Sequence, residues 1–295
     1  MKICCYNDGA PGLIEGGSIY PLRDELAAAG AARAGATMAE VVAALANHPA
    51  AAAGLAAARK RKPVALASAR LLAPVDNPPA IWAAAANYRA HQAEMKERVG
   101  SNYDRMQLAP DDLMAEVFLK PASSIIGPGD AVILPKIARH VDFECELCAV
   151  IGRGARKVAA ENALDYVYGY TMCWDISIRD PWGKGRHNTR NIRKGFDTFC
   201  GLGPWIVTRD EIREPQDLRI NVEQNGKSVM QAHTADMING LRDLIRFLSS
   251  VTTLKPGTLI TTGTPAGVSK LAAGDHLKGT LSGIGTMELK VAAER

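Results

Sequence analysis

The segment His140-Val141-Asp142-Phe143-Glu144-Cys145-Glu146-Leu147-Cys148 constrains this chain more than any other. Side chains alternate across a β-strand, so one face carries Val141, Phe143, Cys145 and Leu147, and the other His140, Asp142, Glu144, Glu146 and Cys148. Glu144 and Glu146 then stand about 6.6–6.8 Å apart along the strand, close enough for two flexible carboxylates to converge on one cation. Without a cation they repel, and burial raises at least one pKa. Taken alone, the segment reads first as a solvated strand face. Asp175 shifts that balance. It ends the run Thr171-Met172-Cys173-Trp174-Asp175, an apolar strand in which a carboxylate needs a partner. Three acids on neighbouring strands make a site for a hard cation (Mg²⁺, Mn²⁺ or Ca²⁺) rather than for zinc. Cys145 and Cys148, a Cys-x-x-Cys pair, point to opposite faces of a regular strand and are poorly placed to share a metal or a disulfide.

Three further constellations carry chemical potential. In Asn87-Tyr88-Arg89-Ala90-His91-Gln92-Ala93-Glu94, His91 and Glu94 are three apart and share a helix face. A carboxylate beside an imidazole fixes its tautomer and raises its basicity, which suits a general base acting on water, although most such pairs are surface contacts. Lys194, between a basic loop and a strand, is placed to stabilise a developing oxyanion. The turn Thr261-Thr262-Gly263-Thr264-Pro265-Ala266-Gly267 follows a strand, and its backbone N–H groups can bind a carboxylate or simply close a tight turn.

The chain has 295 residues, 47% hydrophobic and 22% charged, which excludes a disordered or collagen-like polypeptide and suggests one or two domains. A net charge of +4 is too mild to argue for nucleic acid. The start, MKICCYND, has no apolar stretch behind its lysine, and no run reaches the ~18 apolar residues of a membrane span. Six cysteines in a chain of this size fit buried free thiols in a reducing cytoplasm. Residues 1–75 read as a small α/β domain, with strands at Lys2–Tyr6, Gly12–Glu15 and Ser18–Pro21. An alanine-rich helical stretch follows from Asp24 to Arg61, broken near His48-Pro49, and LAPVDNPP at 72–79 reads as the linker. From residue 80 the pattern is mainly β. Strands are expected at Ile81–Ala86, Glu116–Leu119, Ala131–Leu134, His140–Ile151, Tyr166–Asp175, Trp205–Thr208, Arg219–Gln224, Thr258–Thr262 and Met287–Val291, with a hairpin at Asn225-Gly226. Thr234 and Asp236 are expected to cap a helix whose apolar face is Met237, Leu241, Leu244, Ile245, Leu248 and Val251.

Together these segments resemble the fumarylacetoacetate hydrolase family. The motifs that carry the resemblance include NYRAH–AE at 87–94, FLKPASS at 118–124, GPGDAVILP at 127–135 and VDFECELCAVIG at 141–152. They continue with DYVYGYTMCWDIS at 165–177, KGFDTFCGLGPWIV at 194–207 and LKPGTLITTGTPAGV at 254–268. The resemblance implies an α+β, mainly β fold: a mixed β-roll/β-sandwich catalytic domain over 80–295, with the small α/β domain before it. It implies Glu144, Glu146 and Asp175 as ligands of Mg²⁺ or Mn²⁺ (Ca²⁺ in crystals), and His91 with Glu94 as a water-activating dyad on a lid helix. Lys194 matches the active-site lysine, and Tyr88, Arg179, Gly263 and Thr264 match substrate-binding positions. The expected reaction is hydrolysis of a C–C bond in a small anionic 2,4-dioxo acid by a cytoplasmic homodimer, with no nucleic-acid or membrane partner. Two other enzyme readings use the same ligands: decarboxylation of oxaloacetate, and hydration or isomerisation of an unsaturated oxo-diacid. A binding protein with a structural cation is the non-enzymatic alternative, and it has no need of His91, Glu94 or Lys194. The chain departs from the family pattern at Pro181-Trp182, where a glutamine is usual two residues after Arg179-Asp180, in the basic run Lys184–Arg190, and at Cys200-Gly201. The polar region 91–115 is expected to be the part near the site that opens for substrate.

Overall fold

The computed structural model describes residues 1–99, 108–180 and 189–295. The chain opens with strands β1 (Lys2–Tyr6), β2 (Ala10–Glu15) and β3 (Ser18–Pro21), then helices α1 (Arg23–Ala28), α2 (Met38–Asn47) and α3 (Ala51–Ala58), and short strands β4 (Val64–Ala65) and β5 (Leu71–Leu72). Next come β6 (Ile81–Ala83), α4 (Arg89–Val99), α5 (Pro110–Met114), β7 (Phe118–Lys120), β8 (Ile125–Ile126), β9 (Ala131–Leu134), β10 (Val141–Asp142) and β11 (Cys145–Ile151). The order continues with β12 (Val167–Asp175), β13 (Ser177–Ile178), α6 (Arg190–Arg193), β14 (Cys200–Thr208), β15 (Arg219–Gln224) and β16 (Lys227–His233). It closes with α7 (Leu241–Val251), β17 (Leu259–Thr261), β18 (His276–Leu281) and β19 (Gly285–Ala293). The fold is strand-rich and mixed. One sheet runs β4-β3-β2-β1-β14-β12-β11-β17-β6-β7, a second β16-β15-β18-β19-β9, and β10 pairs with β13. Most pairings are antiparallel; β6 with β17, β8 with β14 and β9 with β19 are parallel.

The alanine-rich stretch is broken twice. Gly30 and Gly35, both at positive φ, separate α1 from α2, and His48 to Ala50 separate α2 from α3. Helix α2 starts where Thr37 accepts the Glu40 N–H at 3.3 Å and the Glu40 carboxylate accepts the Thr37 N–H at 2.7 Å, a reciprocal cap. The N-terminal strands do not form a sheet of their own. β1 pairs with β14 through Lys2 opposite Val207 and Ile3 opposite Ile206. Ile3, Leu13, Leu22 and Val41 pack in one buried cluster with Val150, Leu202, Ile206 and Leu259.

The strand expected over 140–151 is two strands. β10 ends at Asp142 and β11 begins at Cys145, because Asp142 pairs with Ser177 of β13 while Cys145 pairs with Trp174 of β12. Pairing bridges the break: the Glu144 N–H donates to the Asp175 carbonyl at 3.1 Å, and the Asp175 N–H to the Glu144 carbonyl at 2.8 Å. The alternation survives, with Cys145 facing one core cluster and Cys148 the other. Neither face is solvated; every residue of β11 and β12 is buried. Helix α7 buries Leu241, Leu244, Ile245 and Leu248, but it starts later than the sequence suggests, after Gly240. Thr234 and Asp236 lie in a separate 3₁₀ turn. The Thr234 hydroxyl instead accepts the Leu218 N–H and donates to the Pro215 carbonyl, each at 2.9 Å, so it is not available as a helix cap.

Candidate active site

The β11–β12 register builds the centre of the site. With Glu144 opposite Asp175 and Glu146 opposite Cys173, one face carries Glu144, Glu146 and Asp175 together with Cys148, Cys173 and Cys200, the last directly opposite Asp175 on β14. One oxygen from each of the three carboxylates lies within 4.8 Å of the others, and all three residues are buried. Glu146 accepts the Gly263 N–H at 2.7 Å through Oε2, while its Oε1 is buried with no hydrogen-bond partner among the described residues. Burial, then the Asp175 and Glu144 carboxylates beside it, push the Glu146 carboxyl well above the usual range. A buried all-oxygen cluster with an unpartnered carboxylate oxygen fits a hard divalent cation.

Cationic side chains surround the cluster. Lys194, at the end of α6, donates to Glu144 Oε2 at 2.8 Å, Asp175 Oδ2 at 2.6 Å and Ser177 Oγ at 2.6 Å. Arg179 donates from Nε to both Asp142 oxygens, at 2.9 and 2.8 Å, and from a terminal nitrogen to Glu144. Burial raises the Glu144 carboxyl, but Lys194 and then Arg179 outweigh it and hold Glu144 well below the usual range. Lys120 of β7, fully buried, donates to Asp175 Oδ1 at 2.6 Å and to the Lys194 carbonyl. Lys120, Arg179 and Lys194 thus face Asp142, Glu144, Glu146 and Asp175 inside the fold.

The first turns of α4 form the opposite wall. His91 is 4% exposed; its Nδ1 lies 3.3 Å from Glu94 Oε2 and its Nε2 3.8 Å from Glu144 Oε1. Glu94 also accepts the Gly267 N–H at 3.3–3.4 Å, tying the helix to the loop after β17. Asn87 fixes the approach to α4. Its side-chain amide donates to the carbonyls of Asn239 and Thr262 at 2.8 and 2.9 Å, and its Oδ1 accepts the Asn239 N–H at 2.8 Å. Gly263 sits at φ +82°, and a Cβ there would stand 3.0 Å from the Asn87 Cβ, so only glycine fits this approach without movement.

The structure gathers all the expected positions around one centre, but not always in the expected posture. The Gly263 N–H is directed to Glu146 and the Gly267 N–H to Glu94, so these amides brace the carboxylates and are not open to a substrate carboxylate. The Thr264 hydroxyl donates to the Cys145 carbonyl at 3.4 Å. Tyr88 is 1% exposed and its hydroxyl has no hydrogen-bond partner among the described residues; burial, then Glu146, raise its pKa well above the ordinary tyrosine value. Lys120, Asp142, Ser177 and Asn87 were not singled out by the sequence reading. A lysine enclosed by Phe118 and Pro121 in FLKPASS offers the same signal that Asp175 gives, a charge in an apolar strand. Residues 181–188, with Pro181-Trp182 and most of the basic run, lie outside the described residues, as do 100–107 of the expected lid region.

A buried carboxylate triad, a lysine against it and a histidine–glutamate pair at its edge make a centre whose residues fit a divalent cation, on a strand-rich scaffold. The family model for the C-terminal domain of fumarylacetoacetate (FAA) hydrolase matches residues 80–292, and the chain belongs to that family of enzymes. Maleylpyruvate hydrolase of Aquipseudomonas alcaligenes is 39% identical over 228 residues, 77% of each chain. The mitochondrial oxaloacetate tautomerase of Rattus norvegicus is 36% identical over 227 residues, 75% of this chain and 68% of that one. Among solved structures, maleylpyruvate hydrolase from Sphingobium sp. SYK-6 in complex with manganese (II) ion and pyruvate superposes with a TM-score of 0.82, at 29% identity and full coverage of both chains.

Proposed function

We propose that this protein is a Mg²⁺- or Mn²⁺-dependent hydrolase that cleaves the C3–C4 bond of 2,4-dioxo acids of the acylpyruvate type. The observation that carries the reading is the His91–Glu94 pair, oriented with His91 Nε2 beside Glu144 at the edge of the triad. Glu144, Glu146 and Asp175 would hold the cation, which when bound supplies Lewis acidity toward the C1 carboxylate and C2 oxygen of the substrate. Glu94 holds the His91 imidazole so that Nε2 can take a proton from water. The resulting hydroxide attacks the C4 carbonyl, and the C3–C4 bonding pair leaves as pyruvate enolate. The Lys194 ammonium, held against Glu144 and Asp175, would offset through its charge the negative charge that develops on the enolate oxygen. Protonation at C3 then gives pyruvate and a carboxylic acid. Three buried cations against four buried carboxylates leave room for a divalent ion and a small anionic substrate together.

The names of the relatives support this reading, since two are maleylpyruvate hydrolases and one of these carries manganese and pyruvate. A cytoplasmic homodimer is the assembly and location we infer with it. The rat tautomerase favours a second reading, in which the same centre only enolises oxaloacetate or a related diacid and no water attacks. The test is chelation. Acylpyruvate cleavage is expected to vanish on removal of divalent ions and to return with Mg²⁺ or Mn²⁺, and full activity in verified metal-free protein contradicts the proposal.

A further inference from the structure

The Lys120 side chain is fully buried, and its ammonium contacts two groups that the proposed chemistry uses, Asp175 and Lys194. Its side chain is 0% exposed, and it donates to Asp175 Oδ1 at 2.6 Å and to the backbone carbonyl of Lys194. The two lysines divide Asp175 between them: Lys120 holds Oδ1 from behind, and Lys194 meets Oδ2 at 2.6 Å from the open side. A buried ammonium is unfavourable unless strongly paired, so a lysine here needs a reason beyond packing.

The chain around Lys120 grips the same helix end. Arg190 of α6 donates to the Glu116 carboxylate at 2.7 Å and to the Glu116 carbonyl at 2.5 Å. The Phe118 ring lies 5.6 Å from the Arg190 guanidinium carbon and 5.2 Å from the Lys194 ammonium. Pro121 packs where a side chain on Gly195 would stand, 3.2 Å from the ideal Cβ position. Residues 116–121 therefore form a cradle under α6, and Lys120 links it to the carboxylate cluster.

We propose that Lys120 is a positioning residue: it fixes the rotamer of Asp175 and, through the Lys194 carbonyl, the direction from which the Lys194 ammonium enters the site. This rests on the assignment of Asp175 and Lys194 above. The same cradle explains why an isolated four-residue helix can hold a long, flexible lysine in one place. Without Lys120, Asp175 Oδ1 loses its charged partner and the carboxylate is free to turn away from Glu144 and Glu146.

The test compares the intact wild-type chain with Lys120→Met and Lys120→Gln. Mn²⁺ affinity is measured by electron paramagnetic resonance titration, and kcat and KM on any dioxo acid the wild type turns over. Lys120→Met is expected to fold, to bind Mn²⁺ about 10–100-fold more weakly, and to lose kcat at least as strongly with a smaller change in KM. Lys120→Gln keeps a neutral N–H donor and is expected to recover part of both. A folded Lys120→Met with wild-type Mn²⁺ affinity and kcat overturns the proposal. So does failure of both variants to fold, which would make Lys120 a residue of the core alone. The Mn²⁺ titration needs no substrate, so a wild type that binds Mn²⁺ but cleaves no dioxo acid would count against the proposed reaction and still leave this test decisive.

Discussion

His91 separates the two enzymatic readings of the site. Hydrolysis needs an attacking hydroxide and therefore a base, whereas enolisation or decarboxylation of oxaloacetate needs only an electron sink. His91→Ala is expected to slow acylpyruvate cleavage ~10²–10⁴-fold, the usual worth of a general base. The same change should affect oxaloacetate turnover much less, while Asp175→Ala damages both. Steady-state rates of the two variants on both substrates decide it; cleavage unaffected by His91→Ala removes the water-activating role. Glu94 acts through His91, and its second bond, to the Gly267 N–H, makes it equally a tie between α4 and the loop after β17.

Among the elements, the β15–β16 hairpin depends on Asp275, which precedes β18. Its carboxylate accepts from Asn225 Nδ2 at 2.7 Å, Gln224 Nε2 at 2.8 Å and the Ala272 N–H at 2.8 Å. Burial pushes the Asp275 carboxyl up, but these hydrogen bonds outweigh it and hold the pKa below the ordinary aspartate value. A carboxyl lowered by folding adds stability above its unfolded pKa of about 3.9, and that stability is lost as pH falls through the lower folded value. Asp275→Ala is therefore expected to cost about 1 kcal/mol near neutral pH, the group being largely solvated. The Tm gap from wild type should close as pH falls toward 3, and a gap independent of pH contradicts the assignment. The Asn225-Gly226 turn of this hairpin was legible in the sequence because both residues adopt positive φ, at 54° and 76°, which asparagine tolerates and glycine, lacking a Cβ, adopts freely. The middle of the apolar face of α7, Leu241 to Leu248, was legible from its three-and-four spacing, whereas Met237 lies before the helix and Val251, expected on that face, is 60% exposed. The start of α7 was not legible, because a threonine and an aspartate signal a cap only when no distant partner claims them, and Thr234 is claimed by Leu218 and Pro215. Glu144 and Glu146 were legible as a pair because alternation reports which side chains of one strand share a face, and Asp175 because it ends an otherwise apolar strand. The break at Phe143-Glu144, the commitment of Gly263 to Glu146 and the role of Lys120 were not. Each depends on a neighbour far along the chain, and local periodicity carries no information about such neighbours.

At the scale of the molecule, the family match begins at residue 80, but the sheet does not. β1 continues it from β14, and the buried apolar face behind Cys148, Cys173 and Cys200 is covered by the N-terminal segment. Deleting residues 1–75 uncovers that face and the β14 edge, so the shortened chain is expected to aggregate or lose cooperative unfolding. Size-exclusion chromatography and thermal melting check this; a soluble, cooperatively folded 76–295 fragment with unchanged Mn²⁺ affinity would show that the catalytic region stands alone. The remaining question for the whole molecule is the reaction. The most direct measurement follows, by NMR, the products formed from a panel of acylpyruvates and from oxaloacetate, using purified protein loaded with Mg²⁺ or Mn²⁺. Equimolar pyruvate and carboxylic acid are expected from at least one acylpyruvate. The proposed reaction is contradicted if every acylpyruvate is left intact while oxaloacetate undergoes only enolisation or loss of carbon dioxide.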